Sequence, residues 1–204
     1  MPTGRLEAFS DGVFAVAITI MVLALHTPDG TDLSALWDAI GAPFAIHVLS
    51  FIYVGIYWNN HHHMFQIAER VNGAALWANL HLLFWVTLLP FTTGWMGETD
   101  LAPTPVVVYG INLFMAAAAF ALLERAIIRL EGEGSWLRAA ITDGAKERLS
   151  MVLYLAGIIA VIATAAAPRA IGATLAVCCY AAGAALWLIP DRRIERRLAD
   201  PAQR

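Results

Sequence analysis

Six stretches of the chain run without a single Asp, Glu, Lys or Arg: 12–28, 39–68, 71–97, 101–123, 149–168 and 170–190. Each is mostly apolar, and a helix needs about 20 such residues to cross a hydrocarbon core ~30 Å thick. Five stretches reach that length. The first has 17 residues, which rise only about 25 Å as a helix. The first helix therefore starts before Gly12 and draws Phe9, Ser10 and Asp11 to the membrane boundary. The pattern predicts an all-α integral membrane protein of six transmembrane helices. Its spans lie at 8–26, 36–59, 73–97, 104–124, 149–167 and 170–189, within one domain over 1–204 that ends in a basic tail at 191–204. No internal repeat is visible, and Pro90 is the one proline expected to interrupt a span. The 124–148 stretch reads as two helical pieces broken at Gly132–Gly134, and the tail as a basic helix ending near Pro201.

Composition strengthens this reading. Of all residues 59% are hydrophobic and 14% charged, with a mean hydropathy of +0.64. A soluble domain carries about 25% charged residues. A net charge of −3 removes a basic nucleic-acid binder from consideration, and two adjacent cysteines, Cys178 and Cys179, provide no disulfide framework. Residues 1–26 do not read as a cleaved leader, because one arginine and two acids precede the apolar run and no small-residue cleavage site follows.

The few charges sort by side. With six spans, one side of the membrane holds Arg5, Arg70, Arg125, Arg129, Arg138, Lys146, Arg148 and the five tail arginines at 192, 193, 196, 197 and 204; the other holds Arg169 alone. Twelve against one is a positive-inside pattern that places both termini in the cytoplasm. The outer loops carry Asp29, Asp32, Asp38, Glu98 and Asp100, read first as solvated loop acids and second as a weakly cation-attracting surface.

Polar residues inside a bilayer are costly and mark function. Spans four to six hold few, namely Asn112, Ser150, Thr164, Thr174 and the cysteines, amid Ala and Gly that suit close helix packing. Spans one to three hold the rest. On the first helix Gly12, Val16, Thr19, Leu23 and His26 recur at spacings of 4, 3, 4 and 3. From spacing alone this stripe fits a helix–helix contact face as well as a pore lining. Ser10 and Asp11 could cap a helix start. Failing that, Asp11 needs a partner from another helix, because Arg5 lies on a different face and Glu7 repels it. Trp58, His61, His62 and His63 on the second span, and Trp77, Asn79, His81 and Trp85 on the third, are the available donors. Three consecutive histidines suggest zinc, yet they point about 100° apart on a helix, and no HExxH spacing accompanies them.

The run Arg5-x-x-x-Phe9-Ser10-Asp11 at the opening of the first span resembles the signature of the transmembrane protein 175 family of potassium channels. Trp58, His61 and His62 and the Asn79/His81 segment support the resemblance, and the six-span layout extends it over the whole chain. It implies a channel, not an enzyme: a homotetramer of one-repeat chains in a prokaryotic plasma membrane, conducting K⁺ and needing no cofactor, metal or nucleic acid. The first helix of each copy would line the pore, with Val16 at the narrowest ring, Thr19 as the hydroxyl position, Leu23 as a further apolar ring, and Ile20 beside them. Arg5, Phe9, Ser10, Asp11, Trp58, His61, His62, Asn79 and His81 would hold the base of that helix. Val16 is smaller than the family's usual Ile or Leu. No TVGYG-like run occurs, so a filter of backbone carbonyls is not expected. Rival readings are a secondary transporter of a small solute or proton-coupled substrate, a His-rich membrane metalloenzyme, and a scaffold whose stripe serves only assembly.

Overall fold

The computed structural model describes residues 3–68, 70–132 and 144–188, and their regular structure is all helical. In chain order the helices are α1 (Gly4–Met21, tightening into a 3₁₀ turn at Val22–Ala24), α2 (Leu33–Ile67), α3 (Gly73–Thr87), α4 (Leu89–Glu98), α5 (Pro103–Glu131), α6 (Ala145–Ala163) and α7 (Arg169–Leu188). The first helix starts at Gly4, as its short apolar stretch requires. Asp32 and Asn72 cap α2 and α3, each accepting at Oδ1 from a backbone N–H three residues on, at 2.9 Å. Proline opens α5, and Gly132 ends it in the left-handed region at φ 88°. That glycine stop agrees with the expected break near Gly132–Gly134. The second piece expected after it, and the tail helix at 191–204, lie outside the described residues.

Among the described residues, four helical segments are long and apolar enough to span a bilayer: 4–24, 73–98, 103–131 and 170–188. A fifth candidate is α2, whose two parts on either side of Pro43 meet at 56°. Pro90 is thus not the only proline to interrupt a span. Pro43 lacks an N–H and crowds the preceding turn, and the axis turns there. The remaining expected span, 149–167, corresponds to α6, which begins with Ala145, Lys146, Glu147 and Arg148 and so carries charge into its first turn.

Span three is one helix in two pieces. Pro90 cannot donate to the carbonyl four residues back, and the backbone breaks at Leu88, whose N–H turns to the Trp85 carbonyl at 3.3 Å. Asn112 from α5 fills the gap. With its amide set by the surrounding donors and acceptors, Nδ2 donates to the Trp85 carbonyl at 2.9 Å and Oδ1 accepts from the Leu89 N–H at 3.2 Å. One buried side chain stands in for the missing helical bond.

Helix α5 is central and packs against α3, α4, α6 and α7, while α1 lies against α2, α3 and α4. Four fully buried tyrosines, Tyr53, Tyr109, Tyr154 and Tyr180, knit α2, α5, α6 and α7 together. Their hydroxyls find partners across helices: Tyr53 donates to the Tyr180 carbonyl, Tyr180 to the Val106 carbonyl at 3.1 Å, and Tyr109 pairs with Ser50 at 3.0 Å. Glycines make room for these rings. A Cβ at Gly157 would lie 2.6 Å from Tyr180 Cε1, and one at Gly183 2.7 Å from Tyr154 Cε1. This is the close packing that the small residues of the later spans foretold.

Candidate functional site

Helix α1 has two faces. Leu6, Ser10, Phe14, Ala17 and Met21, spaced by 4, 4, 3 and 4, are buried against the rest of the subunit. The opposite face presents Gly12, Val16, Thr19, Ile20 and Leu23, all exposed, with Val16 at 54%, Ile20 at 50% and Leu23 at 78%. A Cβ at Gly12 would meet nothing within 4 Å. The chain turns extended at Leu25, so His26 leaves the helix and the stripe ends at Leu23. Thr19 Oγ1 lies 3.0 Å from the carbonyls of both Ala15 and Val16. Its proton is therefore committed to its own helix, and its lone pairs stay available.

The base of α1 is tied to two other helices. Ser10 Oγ donates to the Leu6 carbonyl at 2.8 Å and accepts from Asn79 Nδ2 at 2.9 Å. Asn79 Oδ1 lies 2.9 Å from His61 Nε2. Since an amide oxygen only accepts, Nε2 carries the proton. Ser10, Asn79 and His61 are all buried, so this chain crosses from α1 through α3 to α2 out of reach of water. The His61 ring is bracketed by Phe14 at 5.5 Å and Phe65 at 4.6 Å, which leaves its buried Nδ1 without a partner. A second tie lies at the surface, where Trp58 Nε1 donates to Asp11 Oδ1 at 2.9 Å. His62 stacks on Trp58, with ring centres 5.7 Å apart, and bonds Gln66 at 2.9 Å.

Six of the nine residues expected at this network therefore meet: Ser10, Asp11, Trp58, His61, His62 and Asn79. Three stand apart. Arg5 and Phe9 are exposed, and His81 is exposed with its ring edge-on to Trp85 at 6.2 Å. The capping alternative for Ser10 and Asp11 falls away, since the helix begins six residues before Ser10. Among the described residues no three His, Cys, Asp or Glu side chains stand where they could hold one metal ion. The arrangement has no nucleophile poised beside a base. What it can do is hold a helix.

Sequence reading missed a second polar chain, Thr93 to Ser50 at 2.7 Å and Ser50 to Tyr109 at 3.0 Å, which links α4, α2 and α5. The signal was present as hydroxyls within apolar spans, but single hydroxyls are common there and carry no periodicity.

Comparison with known proteins points one way. The family model described as "Endosomal/lysosomal potassium channel TMEM175" matches residues 5–90, which take in α1, α2, α3 and the Pro90 break. A protein of Chryseobacterium sp. (strain P1-3) named as a potassium channel is 50% identical over 98% of this chain and 100% of its own. The endosomal/lysosomal proton channel TMEM175 of Gallus gallus is 30% identical over 63% of this chain, which spans a quarter (25%) of that longer protein. The crystal structure of a lysosomal potassium-selective channel TMEM175 homolog from Chamaesiphon minutus superposes with a TM-score of 0.73 at 28% identity, covering 92% of this chain and 96% of that one.

Proposed function

Because the chain belongs to the TMEM175 family of ion channels, we propose that this integral membrane protein is a potassium-permeable cation channel whose pore is lined by α1. The observation that carries the proposal is the outward face of α1. Within one subunit Val16, Thr19, Ile20 and Leu23 are exposed, while the opposite stripe of the same helix is buried. Copies of α1 brought together around an axis would cover that face and enclose a path. Four copies match the tetramer that the sequence resemblance implies.

In this reading Val16 and Leu23 form apolar constrictions that gate by dewetting. Between them, Thr19 lone pairs replace some of the water around a passing ion. Selection among cations is modest, because no ring of backbone carbonyls replaces the hydration shell. Potassium is the proposed ion, since the relative that matches over its entire length is named a potassium channel. The six-span layout with both termini in the cytoplasm, in a prokaryotic plasma membrane, is proposed on the twelve-to-one division of basic residues. α6 would supply the fifth span of the chain, with Lys146, Glu147 and Arg148 at the inner boundary.

The test is potassium flux from purified protein in liposomes, comparing wild type with Val16→Ala, Thr19→Ala and Leu23→Ala. Passive flux that changes several-fold on widening either ring is expected. Saturable flux coupled to a second gradient and indifferent to all three changes would favour a transporter.

A further inference from the structure

The inner ends of α2 and α5 meet the start of α6 and the end of α7 around a cleft that none of the readings above uses. It is narrow and open on one side. Five aromatic side chains wall it: Tyr53, Tyr57, Phe120, Tyr154 and Trp187. The ring of Tyr57 lies 6.2 Å from Phe120, and that of Tyr53 lies 6.0 Å from Tyr154. The polar lining is Asn60, Ser150 and one charged group, Glu147.

The hydrogen-bond inventory fixes what this cleft can recognise. Tyr53 spends its hydroxyl proton on the Tyr180 carbonyl, and Tyr57 spends its own on the Leu113 carbonyl at 3.4 Å. Ser150 donates to the Glu147 carbonyl at 3.0 Å, and Asn60 donates from Nδ2 to the Ile56 carbonyl at 2.8 Å. The acceptors left over are the Glu147 carboxylate, Asn60 Oδ1, hydroxyl lone pairs and ring faces, beside the second Asn60 N–H and the Trp187 indole N–H as donors. Aromatic faces beside a carboxylate attract a cationic donor. Size narrows the class further. The enclosed part of the cleft is about 20 Å³, room for one water-sized group. A –NH₃⁺ group fits that space, and a trimethylammonium does not.

We propose that this cleft is a binding site for a primary ammonium on an alkyl stem, with the –NH₃⁺ against Glu147 and Asn60 and the stem leaving between Tyr57, Phe120 and Trp187. The site shares no residue with the α1 network or the proposed pore, so it stands or falls independently of the channel reading. Two sources present this chemistry, the headgroup of an aminophospholipid and a free alkylamine.

Thermal unfolding of the full chain in lipid nanodiscs separates them. In phosphatidylcholine discs, hexylammonium should raise the melting temperature saturably, and tetramethylammonium should not. Glu147→Gln, a near-isosteric change at a partly buried position, should weaken the apparent affinity for hexylammonium at least tenfold. Trp187→Leu provides the same readout if the first variant does not fold. Should phosphatidylethanolamine discs raise the melting temperature unaided and abolish the hexylammonium response, the source is the lipid. If those discs leave that response unchanged, the source is a free amine. No saturable response in either disc type, an equal response to tetramethylammonium, or wild-type affinity in the folded variant would overturn the site.

Discussion

Asn79 of α3 donates to Ser10 of α1 at 2.9 Å, between two residues that both lie out of contact with water. Through its other amide atom Asn79 also holds His61. Asn79→Ala therefore strands the His61 Nε2–H as well as opening a hole. It should cost about 2–3 kcal/mol, against about 1–2 kcal/mol for Ser10→Ala. Unfolding titrations of the two variants and their double would check this. Because the two residues share one bond, the double should fall short of the sum by about 1 kcal/mol.

Asp11 accepts from the Trp58 indole at 2.9 Å, and an amide oxygen can accept the same bond. Asp11→Asn should assemble almost as well as wild type, whereas Asp11→Ala should lower the yield of assembled oligomer several-fold. Size-exclusion chromatography gives the yield. In the oligomer that survives, reversal potentials should show unchanged ion preference; a stable assembly with altered preference would place Asp11 in the ion path instead.

The break at Leu88 makes a prediction about rescue. Asn112→Ala removes the group that joins the Trp85 carbonyl to the Leu89 N–H, a loss of about 2 kcal/mol or more. Pro90→Ala restores the N–H that pairs with the Val86 carbonyl, so that the helix can close and the Leu89 N–H can reach the Trp85 carbonyl directly. Asn112→Ala should therefore cost at least about 1 kcal/mol less in a Pro90→Ala background. Equal costs in both backgrounds, read by thermal unfolding, would show that Asn112 does not serve the break.

The glycines of the tyrosine cluster can be ranked. Gly157→Ala drives a methyl to within 2.6 Å of a Tyr180 ring that is wholly buried and anchored at the Val106 carbonyl. It should destabilise by about 1–3 kcal/mol. Gly55→Ala, in mid-helix with nothing within 4 Å of the new methyl, should be neutral or stabilise by up to about 1 kcal/mol. Melting temperatures of the pair decide it.

What could be read from the sequence follows what single residues reveal. Charge-free length located the helices, because hydrocarbon excludes charge along a whole span. The need of Asp11 for a donor from the second or third span was legible too, since its own helix offers none, and the structure supplies Trp58. The end of α2 was not. The span was expected to stop at 59, but α2 runs on to Ile67, past the point where membrane crossing requires it and through the His61 that Asn79 holds. Pro43 went unnoticed as a bend because it sits in an otherwise unbroken apolar run. The tyrosines escaped notice as well. A tyrosine in a span suggests the membrane interface, and only a neighbouring helix's carbonyl, as Val106 is for Tyr180, shows that it belongs in the core.

The Asn112 bridge also sets an order of events during biogenesis. Span three precedes α5 in the chain, and until Asn112 arrives the Leu89 N–H lacks its side-chain acceptor while the Trp85 carbonyl keeps only its long bond from the Leu88 N–H. A helix with such a gap is unfinished merchandise for the membrane, inclined to linger beside the translocon or to slide toward a wet surface. Its completion depends on a segment made later in the chain. Truncation before Asn112 should leave an intermediate that membrane quality-control proteases recognise, so that the two halves of the subunit are inserted in sequence but matured together.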